Sequence, residues 1–574
     1  MKNNLKYIIL AILTLNVAIT FAQERENDSI DGGTVNVVQP YTPKISDAFK
    51  IKETPSLNDS TTIKKKTITY NIFSIPVAST FTPAKGKAAT VDKQKPAKLY
   101  DNYASLGVGS YTTILGEVFL NHELNNDERV GGYFSHHSSA GDIEGVNFDN
   151  NFSETGLNAH YSQDQRDYSW KVETGFQLQS YNWYGVPNQN VDTFDVDHSF
   201  YTANIGGNIS FDDAIVNNGS VLYRRFGDNF DSGENRFVLK SGFDIPLNKE
   251  EITANVTLDY VGGSFDGLIS TNAGFNYGNV IFGVSPSYQI KRDDLTLNIG
   301  LSLAYLNDTE ASDSDFFIYP NVTASYRLVD DIMIAYGGIQ GALLQNSYYD
   351  FAQDNPFVSP TLLIAPTDQS YDLFLGLKGK LSNSMSYTIS GGYKSENNRA
   401  LFKSNLISNS PNVDEAYASG NSFGVVYDDL TTFSFGGELN VDINRNFKLA
   451  LKGEFFAYNT ENETEAWNLP DVTGSLFLDY QIDEHWFAGA NLFFVGERQG
   501  YFGFEGTFTG QLVEDTINLD SYFDANAHVG YKINDQLSAF AKANNIANQD
   551  YQRWVNYPVQ GIQFLVGATY QFDF

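Results

Sequence analysis

The sequence predicts an all-β protein, a transmembrane antiparallel β-barrel of about 22 strands preceded by a mostly extended N-terminal tail. Three features support this fold class. The chain ends in a segment of alternating apolar and polar side chains whose last residue is aromatic. It begins with the pattern of a secretory signal. Between the two ends, strand-length segments are joined by connections that are short and long in turn.

The C-terminal segment is the clearest strand of the chain. Alternate side chains of a strand point to opposite faces, so one face would meet lipid and the other water. The apolar face holds Ile562, Phe564, Val566, Ala568, Tyr570, Phe572 and Phe574, and Leu565 is the one apolar residue on the polar face. Such a strand resembles the closing strand of bacterial outer-membrane barrels, which their insertion machinery recognises. The candidate barrel-closing signal consists of Phe564, Tyr570, Phe572 and Phe574.

Residues 1–22 are predicted to be a cleaved signal peptide. Lys2 and Lys6 supply a short positive region, the apolar run Tyr7–Thr20 follows, and Ala22 ends a small-residue cleavage site. This run is shorter than the roughly 18 to 20 apolar residues of a membrane helix, and no later stretch reaches that length. The chain contains no cysteine, which excludes a lipoprotein, disulfides and thiolate–metal sites.

The composition favours a barrel over other exported proteins. The 35 Tyr and 43 Phe residues outnumber the 37 Lys and Arg residues, and Gly reaches 48. Aromatic residues supply the interfacial girdles of membrane barrels. The formal net charge of −32 argues against nucleic acid as a partner, because its phosphates would be repelled. A secreted array of β-sandwiches is the competing interpretation, and the strand and loop lengths disfavour it.

The distribution of charge marks a domain boundary near residue 98. Residues 1–98 carry a net charge of +6 in a chain of −32, which leaves −38 on the barrel, residues 99–574. Residues 23–98 contain several prolines and show little periodicity, so they are predicted to form an extended, basic periplasmic tail. Lys64, Lys65 and Lys66 are candidate contacts of the tail with the barrel lumen or with a partner.

Residues 99–574 repeat one unit, a strand with one apolar face and one small or polar face. In Leu295–Tyr305, for example, Leu, Ile and Tyr alternate with Thr, Asn, Gly, Ser and Ala. Tight turns are predicted at 125–128, 164–166, 248–249, 293–294, 330–331, 382–383, 444–446, 483–485 and 534–535. Longer connections are predicted at 185–197, 348–369, 403–429, 459–468 and 503–519. Taking residues 271–292 as one strand gives about 22 strands, an even number that leaves both chain ends on one side.

The segment before the last loop carries a family resemblance. Ala541–Tyr551 resembles the penultimate strand of TonB-dependent receptors, which has an Asn-Leu or Asn-Ile pair, a small gap and a Tyr. Asn545, Ile546 and Tyr551 match this pattern. The resemblance extends, as architecture, over residues 102–574. It implies a barrel for ligand uptake that is energised by the partner protein TonB.

The N-terminal region departs from this family. TonB-dependent receptors fill the barrel with an N-terminal plug domain of well over a hundred residues, whereas residues 23–98 are fewer and lack alternating helices and strands. The chain is therefore expected to lack the plug. Members also offer TonB a short β-prone box, for which the candidate residues are Thr34, Val35, Val37 and Val38. Without a plug, inward-folded loops (403–429 above all), the tail or a partner would have to close the barrel.

Few residues suggest chemistry. Asp197 and His198 resemble an acid–base pair only superficially, because neighbouring residues of a strand rarely interact in that way. Asp313 and Asp315 are expected in a loop, where they lack the spacing of a calcium site. Trp183 precedes a long loop and fits an interfacial aromatic girdle better than a ligand site. No catalytic, cofactor-binding or metal site is predicted, and the protein is not expected to be an enzyme.

Two classes of function remain open. The first is uptake or passage of a ligand across the outer membrane, which the resemblance favours. The alternative is a non-transporting structural or assembly subunit of an outer-membrane complex, which the missing plug favours. The expected location is the outer membrane of a Gram-negative bacterium, with the tail in the periplasm. The expected partners are lipid and lipopolysaccharide, the barrel insertion machinery, and TonB or another outer-membrane or periplasmic protein.

Overall fold

A computed structural model describes residues 98–189, 194–212, 214–247, 250–267, 274–407, 416–505 and 512–574. The predicted signal peptide, the TonB-box-like segment at 34–38 and Lys64–Lys66 lie outside the described residues. Among the residues described, no helix has the length and apolar character needed to cross a membrane.

The described chain is built almost entirely of strands. In order they are β1 (Asn102–Gly109), β2 (Ile114–Asn125), β3 (Glu128–Ser139), β4 (Phe152–Asp164), β5 (Tyr168–Asn182), β6 (Asp197–Phe211), β7 (Val216–Asp228), β8 (Gly233–Leu247), β9 (Glu250–Phe265), β10 (Phe275–Arg292), β11 (Leu295–Asp308), β12 (Asp313–Val329) and β13 (Met333–Leu344). Helix α1 (Tyr348–Asp354) follows β13. The remaining strands are β14 (Thr367–Ser382), β15 (Met385–Ser404), β16 (Phe423–Asn444), β17 (Phe447–Thr460), β18 (Val472–Gln481), β19 (Trp486–Val495), β20 (Arg498–Glu505), β21 (Leu512–Leu519), β22 (Tyr522–Lys532), β23 (Leu537–Asn544), β24 (Gln552–Trp554), β25 (Tyr557–Pro558) and β26 (Gln563–Phe572).

Twenty-two of these strands form one closed antiparallel sheet. Strands β1 to β19, β22, β23 and β26 pair in chain order, and β26 returns to pair with β1. Closure sets Ala104 opposite Tyr570 and Leu106 opposite Ala568. The predicted fold class and strand number are confirmed, including the single long strand β10. The remaining four strands form two hairpins, β20–β21 and β24–β25, inside connections between barrel strands.

The two faces of the wall differ as the alternation predicts. On β14, Leu373, Leu375 and Leu377 are exposed on the outer face, while the residues between them face the lumen. Polar side chains join neighbouring strands on the inner face. Asn298 on β11 accepts a hydrogen bond from Gln289 at 2.8 Å and donates one to Thr323 at 3.0 Å. Leu565, the exception on β26, faces inward against Gly107 and Phe540.

The two rims of the barrel differ in their connections. At one rim, here the turn rim, consecutive strands are joined by short turns such as Asp293–Asp294 between β10 and β11. The opposite rim, here the loop rim, carries the long connections at 140–151, 183–196, 345–366, 405–422, 461–471, 496–521 and 545–562. Short links also occur there, as between β1 and β2. Strands β15 and β16 extend further than expected, so the loop predicted at 403–429 shortens to 405–422.

Candidate functional site

The mouth of the barrel at the loop rim is filled by its own loops. Phe200 on β6 and Phe226 on β7 face inward and pack with loop residues from across the barrel. Phe423, at the start of β16, belongs to the same buried cluster although it is nine strands from β7 in the sheet. This mouth core also contains Trp183, Val186, Phe265, Tyr277, Tyr348, Phe351, Phe357, Val358, Leu362, Ile364, Tyr417, Val555 and Tyr557. Inward-folded loops were one of three predicted ways to close the barrel, beside the tail and a partner, and the side chains that meet were not predicted.

Tyr557 in the last hairpin joins several loops. Its ring stacks on Phe357 with centroids 3.7 Å apart and meets Tyr184 edge-on at 4.8 Å. Its hydroxyl donates to the backbone oxygen of Asn421, and Gly185 lies directly against the ring. Burial, followed by the neighbouring Tyr184, raises the pKa of Tyr557 well above its usual range. The phenol is therefore a neutral hydrogen-bond donor at physiological pH.

Trp183 does not belong to an interfacial girdle, so that expectation is wrong. Its side chain is 1% exposed and stacks on the ring of His198 at 4.1 Å. The loops hold this pair in place, because Asn421 Nδ2 donates to Trp183 O at 2.7 Å and His198 Nε2 lies 2.8 Å from Pro356 O. Asp197 is exposed while His198 is buried, so the two side chains do not form an acid–base pair.

Helix α1 is held against the inner wall by charged side chains. Arg236 on β8 donates to both carboxylate oxygens of Asp259 on β9, at 3.0 and 2.8 Å, and to Asp350 of α1 at 2.8 Å. Arg224 on β7 lies 3.6 Å from Asp350 and 3.8 Å from Glu234, and its guanidinium covers the ring of Tyr349. We call Arg224, Glu234, Arg236, Asp259 and Asp350 the α1 latch.

The start of α1 supplies hydrogen bonds to Glu234, the buried carboxylate of the α1 latch. Glu234 accepts hydrogen bonds from Tyr277 Oη at 2.7 Å and from the backbone N of Tyr348 at 2.6 Å. Tyr348 Oη donates to Asp228 at 2.7 Å. Ser347 caps the helix by accepting from the N–H of Asp350 at 3.1 Å. Since a buried carboxylate without partners is costly, α1 and the wall stabilise one another.

The α1 latch was not predicted from the sequence. Its four members in the wall alternate with outward-facing residues on β7, β8 and β9, which is the ordinary pattern of a polar lumen wall. Two signals were present in the sequence. Both Arg224 and Arg236 lie within four strand residues of the loop rim, and Ser347 with Asp350 has the spacing of a helix N-terminus.

The residues of the predicted family-like strand lie at the loop rim. Strand β23 ends at Asn544, so Asn545 and Ile546 follow it and Tyr551 lies further along the loop. Assigning all of Ala541–Tyr551 to a strand was therefore wrong. Asn545 has a positive φ of 45°, and its amide bonds to the backbone of Gln549 and Gln560, which fixes the start of the last loop. Tyr551 stacks on Tyr522 at 3.8 Å.

The aromatic residues of the predicted closing signal lie on the outer face of the barrel. The acidic residues Asp313 and Asp315, which were expected in a loop, lie on a strand. Phe564, Tyr570 and Phe574 are exposed along the outside of the barrel, with Phe572 between the last two. Asp313 and Asp315 belong to β12 rather than to a loop, because that strand extends past the short link from β11. In the part of the chain that is described, no group of three or more His, Asp or Glu residues is placed to hold a metal ion.

A closed barrel of 22 antiparallel strands with apolar outer faces, short turns and long loops defines an outer-membrane β-barrel protein. A family model described as TonB dependent receptor-like, beta-barrel, matches residues 59–546. The chain belongs to this family. Members of this family are receptors that transport ligands and interact with TonB, and they are not enzymes. The protein is therefore not an enzyme. The fold implies a location in a Gram-negative outer membrane.

Solved structures share the fold at low sequence identity. The siderophore receptor PirA from Acinetobacter baumannii is 11% identical over 84% of this chain and 81% of its own, with a TM-score of 0.61. The ferripyoverdine receptor of Pseudomonas aeruginosa, bound to ferripyoverdine, is 14% identical over 84% and 73%, with a TM-score of 0.59. The ferric-catecholate import receptor Fiu from K12 E. coli is 11% identical over 84% and 82%, with a TM-score of 0.57. No curated protein sequence matches the chain.

Proposed function

We propose that the protein takes up a ligand across the outer membrane, through a barrel whose mouth is closed by its own loops. The observation that carries the proposal is the attachment of α1 by the α1 latch. Asp350 is 41% exposed and Arg236 is 16% exposed, so the contact between them is partly hydrated. A partly hydrated ion pair costs less to separate than a dry one. In this proposal the loop rim faces the cell exterior and the turn rim faces the periplasm.

A ligand would act by competing for the groups that hold α1. An anionic ligand at the loop rim would attract Arg224 and Arg236, and its binding energy would offset the loss of their bonds to Asp350. Three structures with the same fold are named as a siderophore receptor, a ferripyoverdine receptor and a ferric-catecholate import receptor. We therefore propose ferric siderophores, which carry anionic chelating groups, as the first ligand class to test.

The N-terminal residues complete the proposal. Residues 1–22 are assigned to the cleaved signal, 23–98 to the periplasmic tail and 99–574 to the barrel. Thr34, Val35, Val37 and Val38 would offer an edge strand to TonB, while Lys64, Lys65 and Lys66 would contact the acidic lumen or a partner. The closing strand would be the part that the insertion machinery recognises during assembly in a membrane of lipid and lipopolysaccharide.

The test is single-channel conductance in planar bilayers. The intact mature protein, a variant without residues 23–98 and the variant Arg236→Ala are compared at the same protein concentration. We expect the intact barrel to be closed and Arg236→Ala to show frequent large openings, because α1 loses its 2.8 Å ion pair with the wall. Openings that appear only after removal of the tail would instead identify the tail as the closing element.

A second function is favoured by the apolar content of the mouth. Trp183, Phe357 and Tyr557 are buried as in the interior of a soluble protein, which suits a permanent seal. A barrel sealed in this way would be a structural or assembly subunit of an outer-membrane complex. Conductance that stays closed in the intact protein, in the tail deletion and in Arg236→Ala would favour this function and contradict uptake.

A further inference from the structure

The outer face of the barrel carries an arginine where lipid is expected. Arg224 on β7 points into the mouth, so its neighbour Arg225 points outward, on the same face as Val221 and Tyr223. Within the residues described, Arg225 forms no ion pair with a carboxylate. A lipid-facing guanidinium is strongly disfavoured at mid-membrane and tolerated near an interface. The depth of Arg225 therefore decides how it is solvated.

Arg225 lies near the end of the apolar band of the outer wall, on the side of the loop rim. It is three residues from the end of β7, roughly 10 Å below the loop rim at a rise of about 3.3 Å per residue. Leu157, Phe176, Ala203 and Arg225 are directly opposite one another across β4 to β7. Two rungs nearer the loop rim, the outer face holds Ser180 and Ser199, whose hydroxyls are 2.9 Å apart. One rung nearer the loop rim than Arg225 the outer face still carries Leu178, which is 43% exposed, so the apolar band ends between the level of Arg225 and that of the two serines.

A groove in the outer wall runs beside this arginine. Its volume is about 430 Å³, and large side chains border a floor of small ones. The borders are Leu157, Phe176, Ile205 and Tyr223, and the floor includes Ala159 and Ala203. Ile205 is 55% exposed and Tyr223 is 42% exposed, so their apolar surfaces are available to a hydrocarbon chain.

The guanidinium of Arg225 is held over a glycine. Its Nη2 lies so close to Gly233 that a Cβ there would overlap it. Gly233 pairs with Gly227, so no side chain from this pair covers the guanidinium on the outer face. Tyr223 Oη donates to Asn235 at 2.9 Å, which holds the phenol beside the groove. The cation is thus positioned on the outer face near the loop rim and is partly exposed.

We propose that this groove binds a phosphate-bearing glycolipid of the outer leaflet. One acyl chain would lie in the groove and a headgroup phosphate would accept hydrogen bonds from Arg225. A guanidinium binds phosphate through two parallel hydrogen bonds, and interfacial basic residues next to apolar surface are typical of anionic-lipid sites. The position of the site near the end of the apolar band favours a lipid over a soluble anion or a protein.

The experiment measures lipid bound to the full-length protein in detergent by native mass spectrometry. The probes are diphosphorylated lipid A and the same lipid with both phosphates removed. The variants are Arg225→Gln, Arg225→Lys and Ala203→Trp, which fills the groove. Arg292→Gln is the matched control, because Arg292 faces outward at the turn rim. Heat-modifiable electrophoretic mobility establishes that each variant is folded.

We expect Arg225→Gln and Ala203→Trp to lower retention of the phosphorylated lipid about tenfold, with a smaller loss for Arg225→Lys. Arg292→Gln should retain it fully. The dephosphorylated lipid should be insensitive to Arg225→Gln but sensitive to Ala203→Trp. Unchanged retention in both variants would overturn the proposal. So would displacement by equimolar inorganic phosphate, which would indicate a soluble-anion site, or a change of oligomeric state in place of lipid loss, which would indicate a protein interface.

Discussion

At the scale of single residues, the mouth of the barrel depends on polar contacts that are only partly shielded from water. Arg236 bonds two carboxylates from different elements, and one of these, Asp259, is 12% exposed. Removing the cation leaves Asp259 without its charge partner and frees Asp350. Loss of one member of such a pair is costly because the remaining charge stays desolvated.

We predict that Arg236→Ala weakens the docking of α1 by about 3 kcal/mol. Limited chymotrypsin digestion checks this, since residues 345–366 contain Tyr and Phe sites that are protected in the docked state. The control is Lys171→Ala, which removes the solvated lumen pair Lys171–Glu173 and should cost less than about 1 kcal/mol. Equal cleavage of both variants and the parent would show that the α1 latch does not hold the loop.

A second residue prediction concerns Gly185. A Cβ at this position would overlap the Tyr557 ring, which is held by its stack on Phe357 and cannot move aside cheaply. We predict that Gly185→Ala loosens the mouth core by about 1 to 3 kcal/mol.

The chain contains no cysteine, so maleimide labelling of Ser359→Cys, a buried position, reports the loosening directly. Labelling should accelerate in the Gly185→Ala background. Gly453→Ala is the matched control, because no atom lies within 4 Å of a Cβ built at that glycine. Acceleration by both substitutions, or by neither, would contradict the role assigned to Gly185.

At the scale of elements, α1 is too short to be stable on its own. Its seven residues form a helix because Ser347 caps it and the wall supplies Glu234 for the N–H of Tyr348. Helix formation and docking are therefore coupled.

We predict that Ser347→Ala weakens this loop by about 1 to 2 kcal/mol, because it removes the cap and the hydrogen bond from Arg224. Chymotryptic cleavage of 345–366 should rise, though less than in Arg236→Ala. Ser382→Ala, in an exposed turn at the opposite rim, serves as the control. If residues 345–366 of the Ser347→Ala variant resist chymotrypsin as well as those of the parent protein, the helix cap does not contribute to the docking of α1.

The closing strand β26 gives a prediction about assembly. Phe574 is the most exposed of the closing-signal aromatics, and it contacts His122 and Phe572. We predict that Phe574→Ala reduces the amount of barrel inserted in cells severalfold but leaves the refolded protein as stable as the parent within about 1 kcal/mol.

Insertion is measured by heat-modifiable mobility of outer-membrane fractions, and stability by urea unfolding in detergent. Phe564→Ala tests whether an aromatic at the other end of the same face has the same effect. If the Phe574→Ala variant inserts normally, the terminal aromatic residue is not part of the barrel-closing signal.

At the scale of the whole molecule, the barrel closes on itself without the residues that precede it. Strand β1 begins at Asn102 and pairs with both β2 and β26, so its two edges are satisfied within residues 102–574. We predict that deletion of Tyr41–Lys98 leaves a folded, inserted barrel and changes permeability or capture of a partner. Heat-modifiable mobility and bilayer conductance test the two parts separately. Failure of the deleted protein to fold would contradict the division into tail and barrel.

The barrel itself was predictable because its signals are local. Alternation of two residues fixes which side chains face lipid, and polar turns fix where each strand ends. This gave about 22 strands, and the single strand across Gly278 followed from the requirement that an even number leaves both chain ends on one side. The same reasoning failed for Trp183. An aromatic residue at a strand end has the same local pattern whether it faces the membrane interface or the mouth.

The sequence by itself determined the barrel, a strand number of about 22 and the faces of its wall. The faces follow from alternation within each strand, and the number follows from the turns and from the even count that leaves both chain ends on one side. Only the tertiary structure decided what fills the mouth. Asn421 meets the backbone of Trp183 from 238 residues away, and Tyr557 reaches Asn421 across 136. Arg224 and Asp350 likewise meet only because β7 and the loop after β13 fold into the same opening. Such contacts join loop residues that are far apart along the chain, and no local pattern encodes which of them meet.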